Sequence, residues 1–185
     1  MLEKIGEFDV VSGAVRVTDP CYDQDVWCSG SMPAANGRWV AKVERYEDRM
    51  WGDRIARLVV EHVDFTSAVG YEKLGFEVGV DSGQAGVFDL SHYQDHSVAP
   101  EMPPEKRLVP DDPWYSMCCA ITLSEASAGV VPFGAVSTSG YGDGGYDGYA
   151  IFVDGKAVSV MIVFLLDEEE DEWDEEEYED WDEEE

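Results

Sequence analysis

Short runs of alternating hydrophobic and polar residues recur along this chain, and a period of two is typical of half-buried β-strands. The clearest run spans residues 38–47, where the apolar side chains of Trp39, Ala41 and Val43 fall on one face. Comparable apolar or alternating runs predict further strands at residues 13–18, 76–80, 85–90, 114–123, 130–137, 149–153 and 157–164.

Residues 53–62 are ambiguous between two kinds of element. A strand is favoured because this run could pair with residues 38–47 through a turn at residues 49–52. Ile55, Leu58 and Val59 also fall at helical spacing, so a helix remains the alternative.

Turn signals separate the predicted strands. Asp154-Gly155 lies between two apolar runs, and both residue types tolerate the positive φ angles of a type I′ turn, so a hairpin is predicted there. Residues 91–113 contain five prolines and few apolar residues, which indicates a long surface loop. The dense apolar run that follows, residues 114–123, is interpreted as a buried central strand.

The pattern as a whole predicts a mainly β protein with nine or ten strands and few or no helices. An antiparallel sandwich or a partly open barrel suits that spacing. We expect a single β domain at residues 1–166, followed by a disordered acidic C-terminal tail at residues 167–185.

The charge of the chain narrows the choice of partners. The 185 residues carry a net charge of −29, with 41 acidic and 12 basic side chains. The last nineteen residues hold sixteen of the acids and no base, which leaves 25 acids and 12 bases, or −13, for the rest. Direct nucleic-acid binding is therefore not expected, because that binding depends on Lys and Arg contacts to phosphates. A basic protein partner is favoured, and the oligomeric state stays open.

The beginning of the chain lacks the features of a signal peptide, and no apolar run is long enough to span a membrane. We therefore expect a cytoplasmic protein without membrane contact. Its four cysteines should then be reduced, and their spacing predicts small core residues rather than a metal or redox site.

Two glycine-rich stretches resemble a known family. Residues 80–86 read VDSGQAG and are followed by Asp89, and residues 139–146 read SGYGDGGY. The chain is similar in these motifs to an uncharacterised bacterial and phage family, a domain of unknown function of the DUF4241 type, over residues 13–164. It departs from that pattern at Asp147-Gly148 and in the acidic tail. The resemblance implies the domain boundaries and no established activity.

The same stretches contain the candidate residues for chemistry. Asp81, Asp89 and Asp143, with His92, are the candidates for catalysis, and Asp143 and Asp147 are candidate ligands of Ca²⁺ or Mg²⁺, since hard cations prefer oxygen ligands. Ordinary turn chemistry is the favoured alternative, with Asp81 capping its own turn. No cofactor is otherwise expected.

The tail contains aromatic residues that solubility alone would not require. Trp173, Tyr178 and Trp181 interrupt the carboxylates, and Glu177 lies between the two tryptophans. These four residues are the predicted partner-binding set, because aromatic rings are usual anchors of protein interfaces.

The leading hypothesis is a non-enzymatic, phage-encoded inhibitor that binds a basic, nucleic-acid-handling host protein by charge mimicry. The alternatives are a metal-assisted hydrolase that uses the Asp/Gly loops, and an immunity or regulatory protein whose tail only maintains solubility.

Overall fold

The computed structural model describes residues 1–66 and 70–165. Within these residues it has twelve strands, one α-helix and three short 3-10 turns. The strands are β1 (Leu2–Val10), β2 (Ala14–Thr18), β3 (Gly30–Pro33), β4 (Gly37–Asp48), β5 (Gly52–His62), β6 (Glu72–Lys73), β7 (Val78–Val80), β8 (Gln84–Asp89), β9 (Ala128–Val131), β10 (Gly134–Thr138), β11 (Gly144–Val153) and β12 (Lys156–Val163). The helix α1 is Pro113–Thr122, and the 3-10 turns are Leu90–His92, His96–Val98 and Pro104–Lys106.

The strands form two antiparallel sheets. The larger has seven strands in the order β1-β4-β5-β12-β11-β6, with β7 also paired to β11. The smaller has five strands in the order β3-β2-β8-β10-β9. The mainly β, antiparallel prediction is therefore confirmed, and the sheets do not close into a barrel.

The main core lies between the inner faces of the two sheets. Alternation along β4 places Trp39, Ala41 and Val43 on that face, and Leu58 of β5 packs there with them; Trp39, Val43 and Leu58 have no exposed surface. Val15 and Val87 contribute from the smaller sheet. The register Val43↔Leu58 also explains why residues 53–62 form a strand, since pairing with β4 buries the same apolar residues that helical spacing would have grouped.

A third layer covers the outer face of the five-stranded sheet. The aromatic residues Phe88, Tyr93 and Trp114 pack there, with ring centroids 5.0–5.6 Å apart. Phe88 requires glycine beneath its ring, because a Cβ on Gly86 or on Gly134 would approach a Phe88 ring carbon to 2.5 Å. This layer packs α1 and the segment of the first two 3-10 turns against the sheet.

The strand predicted at residues 114–123 is wrong, because this segment belongs to α1. Asp112 is the N-cap, and its side chain accepts a hydrogen bond from the Tyr115 amide at 2.7 Å. Pro113 occupies the first helical turn, where its missing amide is not needed. The apolar run is dense because the helix packs on the smaller sheet through Trp114, Met117 and Cys118.

The hairpin at the end of the described chain is confirmed. Asp154 and Gly155 have φ angles of 51° and 75°, as a type I′ turn requires. The edge strand β1 was not predicted, because its outward residues are charged. Its ion pairs to β4 include Arg38 to Asp9 and Arg45 to Glu3.

The proposed boundary at residue 166 and the tail lie outside the described residues. Within residues 1–66 and 70–165, no helix is long and apolar enough to cross a membrane.

Replacing the N-cap Asp112 with Ala should lower the free energy of unfolding by about 1 kcal/mol, because the helix amide of Tyr115 loses its acceptor. Urea denaturation followed by circular dichroism would measure the change. Asp111→Ala is the matched control, since Asp111 is exposed and precedes the cap. Equal stability of the two variants would contradict the capping role.

A candidate binding cleft

A cleft of about 420 Å³ lies where three turns meet. The β4–β5 turn, the β7–β8 turn and the loop between β10 and β11 form its walls. Its lining residues are Trp51, Arg54, Gly83, Thr138, Gly140, Tyr141 and Gly142. Turns from three separate parts of the chain therefore build one concave surface.

The glycine-aspartate loop takes its shape from its own hydrogen bonds. Gly140 has a φ of +59°, a conformation that side chains disfavour. The Gly142 amide donates to Ser139 O at 2.9 Å, and the Tyr146 hydroxyl donates to Gly142 O at 2.6 Å. Asp143 Oδ1 accepts from the Gly83 amide at 3.0 Å, so this carboxylate joins the loop to the β7–β8 turn.

A buried aspartate that the sequence analysis did not select organises the neighbouring turn. Asp19 is fully buried, and its carboxylate accepts hydrogen bonds from the Asp81 amide at 2.9 Å and the Ser82 amide at 2.7 Å. The Ser82 hydroxyl and the Cys21 amide also donate to it, at 2.6 and 2.8 Å. Asp19, and not Asp81 as predicted, therefore accepts from the Asp81 and Ser82 amides of the β7–β8 turn, while Asp143 accepts from the third, Gly83.

The rim of the cleft presents two aromatic rings. Trp51 is 62% exposed and Tyr141 is 58% exposed. The Tyr141 hydroxyl donates to Asp48 Oδ2 at 2.5 Å, while Asp48 Oδ1 accepts from the Met50 and Trp51 amides. These hydrogen bonds, the Tyr141 one first, lower the pKa of Asp48. The Asp48 carboxylate therefore fixes the backbone at Trp51 and the hydroxyl of Tyr141, and both side chains keep more than half of their surface exposed.

Arg54 supplies positive charge to the cleft. Its Nε is buried and has no hydrogen-bond partner among the described residues. Its charge contributes to the lowered pKa of Asp48. A guanidinium with an unsatisfied buried N–H favours an acceptor, and a carboxylate is the acceptor whose geometry fits it best.

The predicted catalytic carboxylates do not all meet at this cleft. Asp81 and Asp143 flank the same turn, whereas Asp89 lies at the other end of β8, roughly 17 Å along the strand. Asp89 is fully buried and accepts hydrogen bonds from the Val11 and Ser12 amides, each at 2.7 Å.

His92 lies beside Asp89 and not beside the other candidates. Its Nδ1 is 3.1 Å from Asp89 Oδ1, and its ring stacks on Phe133 at 3.8 Å between centroids. Burial raises the pKa of Asp89, but hydrogen bonds from Ser91, from the two upstream amides and from His92 outweigh burial and lower it. Asp89 and His92 thus link the turn before β2 to the turn after β8 through hydrogen bonds.

The remaining metal candidate, Asp147, lies on β11 and pairs with Lys73 Nζ at 2.7 Å. In residues 1–66 and 70–165, no group of three or more His, Cys, Asp or Glu side chains is placed to hold a metal ion. Asp143 and Asp147 are therefore not joined in such a group.

All four cysteines are free, as expected for reduced thiols. Cys28, Cys118 and Cys119 are buried and Cys21 is exposed. Partial burial and the nearby Asp19 carboxylate raise the pKa of Cys21 to about 12. At neutral pH this exposed sulfur is a thiol, which is a poor nucleophile.

No family model matches the chain, and comparison with curated proteins and with solved structures found no significant similarity. The resemblance to the uncharacterised bacterial and phage family therefore stays a prediction.

Of the candidate residues, Asp81 and Asp143 lie in adjacent loops, whereas the sequence analysis did not select Asp19, Trp51 or Arg54. One signal was present, since Met50-Trp51 are apolar residues within a hairpin turn, where polar residues are usual. The predicted partner-binding residues Trp173, Glu177, Tyr178 and Trp181 lie outside the described residues.

Asp89→Ala should lower the free energy of unfolding by about 3 kcal/mol, because buried donors lose their acceptor. The lowered pKa makes the Asp89 contribution complete above about pH 4, the ordinary pKa of an unfolded aspartate, and the contribution is lost as the pH falls further. Urea titrations between pH 7 and pH 2 should show a shallower loss of stability in the variant than in the wild type.

Asp95→Ala is the matched control. Asp95 caps a 3-10 turn through Ser97 in the same way that Asp89 caps its turn through Ser91, but it is not buried. A clearly smaller loss of stability is expected there. Comparable losses of stability in the two variants would show that the hydrogen bonds from the Val11 and Ser12 amides to Asp89 contribute little.

Proposed function

We propose that this chain is a non-enzymatic, phage-encoded binding protein that occupies a basic site on a nucleic-acid-handling host protein. Its acidic surface and C-terminal segment would present charge as a nucleic acid does. The proposal assigns the attraction to carboxylates and the anchoring to aromatic rings, which is the usual division of roles in a protein interface.

The observation that supports this proposal is the pairing of the basic side chains within the body of the protein. Six of the 12 Lys and Arg residues form ion pairs with carboxylates of the described residues: Lys4, Arg38, Lys42, Arg45, Arg57 and Lys73. A seventh, Arg16, is buried beneath the Tyr93 ring. Carboxylates are in excess by 13 over residues 1–166, so the unpaired surface charge is negative.

The candidate chemistry within the described residues supports binding over catalysis. Asp19, Asp89 and Asp143 are engaged with backbone amides, and each such contact has a structural role at a turn. Cys21 is a thiol at neutral pH because its pKa is raised. No observation in residues 1–66 and 70–165 favours the metal-assisted hydrolase that the sequence left open.

A second binding function is favoured by the cleft itself. Trp51 and Tyr141 expose most of their surface on the body of the protein, where they could anchor a partner without help from the tail. In that case the chain is an immunity or regulatory protein and the tail serves solubility.

Affinity capture from a host lysate, with four full-length variants, would test the proposal. The wild type should capture a basic nucleic-acid-binding protein, and capture should fall by about tenfold or more between 50 and 200 mM salt. Duplex DNA should compete for the same site. Capture that resists both salt and DNA would contradict charge mimicry.

The other three variants separate the contributions. One replaces the tail carboxylates with amides and keeps the rings, and one replaces Trp173, Tyr178 and Trp181 with Ala and keeps the charge. Both should lose the partner if the tail binds it. Trp51→Ala alone should lose the partner if the cleft is the interface and the tail is only a solubility element.

A further inference from the structure

The described part of the chain ends beside the cleft. After β12 the Phe164 and Leu165 amides both donate to Ala56 O, at 2.8 and 3.1 Å, which fixes the direction of the chain. Leu165 packs against Gly140, since a Cβ on Gly140 would lie 2.9 Å from Leu165 Cδ2. Gly140 lines the cleft. Leu165, the last residue that the structure describes, therefore lies at the cleft wall.

The cleft needs two kinds of partner group. Arg54 has a buried Nε without an acceptor among the described residues, and a carboxylate could accept from Nε and a terminal nitrogen together. Trp51 and Tyr141 are exposed rings, and a third ring packed on them would remove apolar surface from water. An acidic segment that contains an aromatic residue would supply both groups.

The segment after Leu165 has this composition. Trp173 is its first aromatic residue, and it lies between Glu172 and Asp174. Seven residues lie between it and Leu165, and the eight residue steps allow a reach of up to roughly 27 Å in extended chain. Covalent attachment also gives the segment an effective concentration near the millimolar range, so a weak contact suffices.

We propose that Trp173 docks between Trp51 and Tyr141 of the same chain, with a neighbouring carboxylate on Arg54. The inference deepens the proposed function, because it rests on the tail as the partner-binding element and adds its regulation. The cleft holds part of the tail until a basic partner competes for it. When a partner displaces the tail, the free tail and the exposed cleft appear together.

The charge of the body opposes this docking and predicts its salt dependence. The excess of 13 carboxylates over residues 1–166 repels the tail, and added salt screens that long-range repulsion. The Arg54 contact is half-buried and is screened less. Docking should therefore persist at a salt concentration that releases the basic partner, which separates the two interactions experimentally.

NMR spectroscopy of the isotope-labelled full chain would test the docking. Nuclear Overhauser contacts between the Trp173 indole and the rings of Trp51 and Tyr141 are expected at 50 and at 300 mM salt. Trp173→Ala should shift the Gly140, Gly142 and Arg54 Nε resonances, and Arg54→Gln should abolish the contacts. Lys156→Gln is the control, since it removes one exposed positive charge at the β11–β12 turn and should leave the contacts unchanged.

The proposal is overturned if Trp173→Ala moves none of the cleft resonances, or if the contacts depend on protein concentration and arise between two chains in a mixed-label sample. Partner capture by the Arg54→Gln variant distinguishes failure of the docking from failure of the proposed function. If that capture continues and the wild type shows no contacts between Trp173 and the cleft, the docking alone is refuted. Loss of capture by the charge-neutralised tail variant is expected whether or not docking occurs, and unchanged capture there refutes the proposed function.

Discussion

Two fully buried aspartates at opposite ends of the β2–β8 pair hold the loops of this protein in place. Asp19 accepts the amides of the β7–β8 turn, and Asp89 accepts those of the turn before β2. A buried carboxylate is costly unless several donors satisfy it, and here the donors come from segments more than 60 residues away in sequence. The position of the cleft depends on the first of these contacts.

The smaller sheet joins these loops to a second core. Its inner face packs on the larger sheet, and its outer face is covered by Phe88, Tyr93 and Trp114. The glycines beneath Phe88 let the ring lie flat on the sheet, so the third layer and the β-sandwich form one packed unit. Changes in this layer are expected to reach the turns that Asp89 holds, since Tyr93 follows the Leu90–His92 turn directly.

Charged side chains have two roles in this structure: some form ion pairs within the fold, and others remain available to a partner. Basic residues of the larger sheet are matched with carboxylates across β1, β4 and β5, which favours correct pairing and leaves the acidic excess unpaired. Arg54 lines the cleft near Asp48, and its buried Nε has no acceptor among the described residues. A guanidinium that lines a cleft together with two exposed rings, Trp51 and Tyr141, is a selective place for an acidic aromatic segment.

Local pattern determined much of this protein. Alternation predicted β4, β5 and most other strands, and Asp154-Gly155 determined the final hairpin, because period and turn type depend on neighbouring residues alone. Tertiary structure decided three other features: that residues 113–122 form a helix, that Asp19 and not Asp81 holds the β7–β8 turn, and that Trp51, Arg54 and Tyr141 share one cleft. The last two depend on contacts between distant segments, which the pattern of a single segment cannot specify. The helix begins at a local cap, Asp112-Pro113, but its dense apolar run is recognised as a helix only through its packing on the smaller sheet.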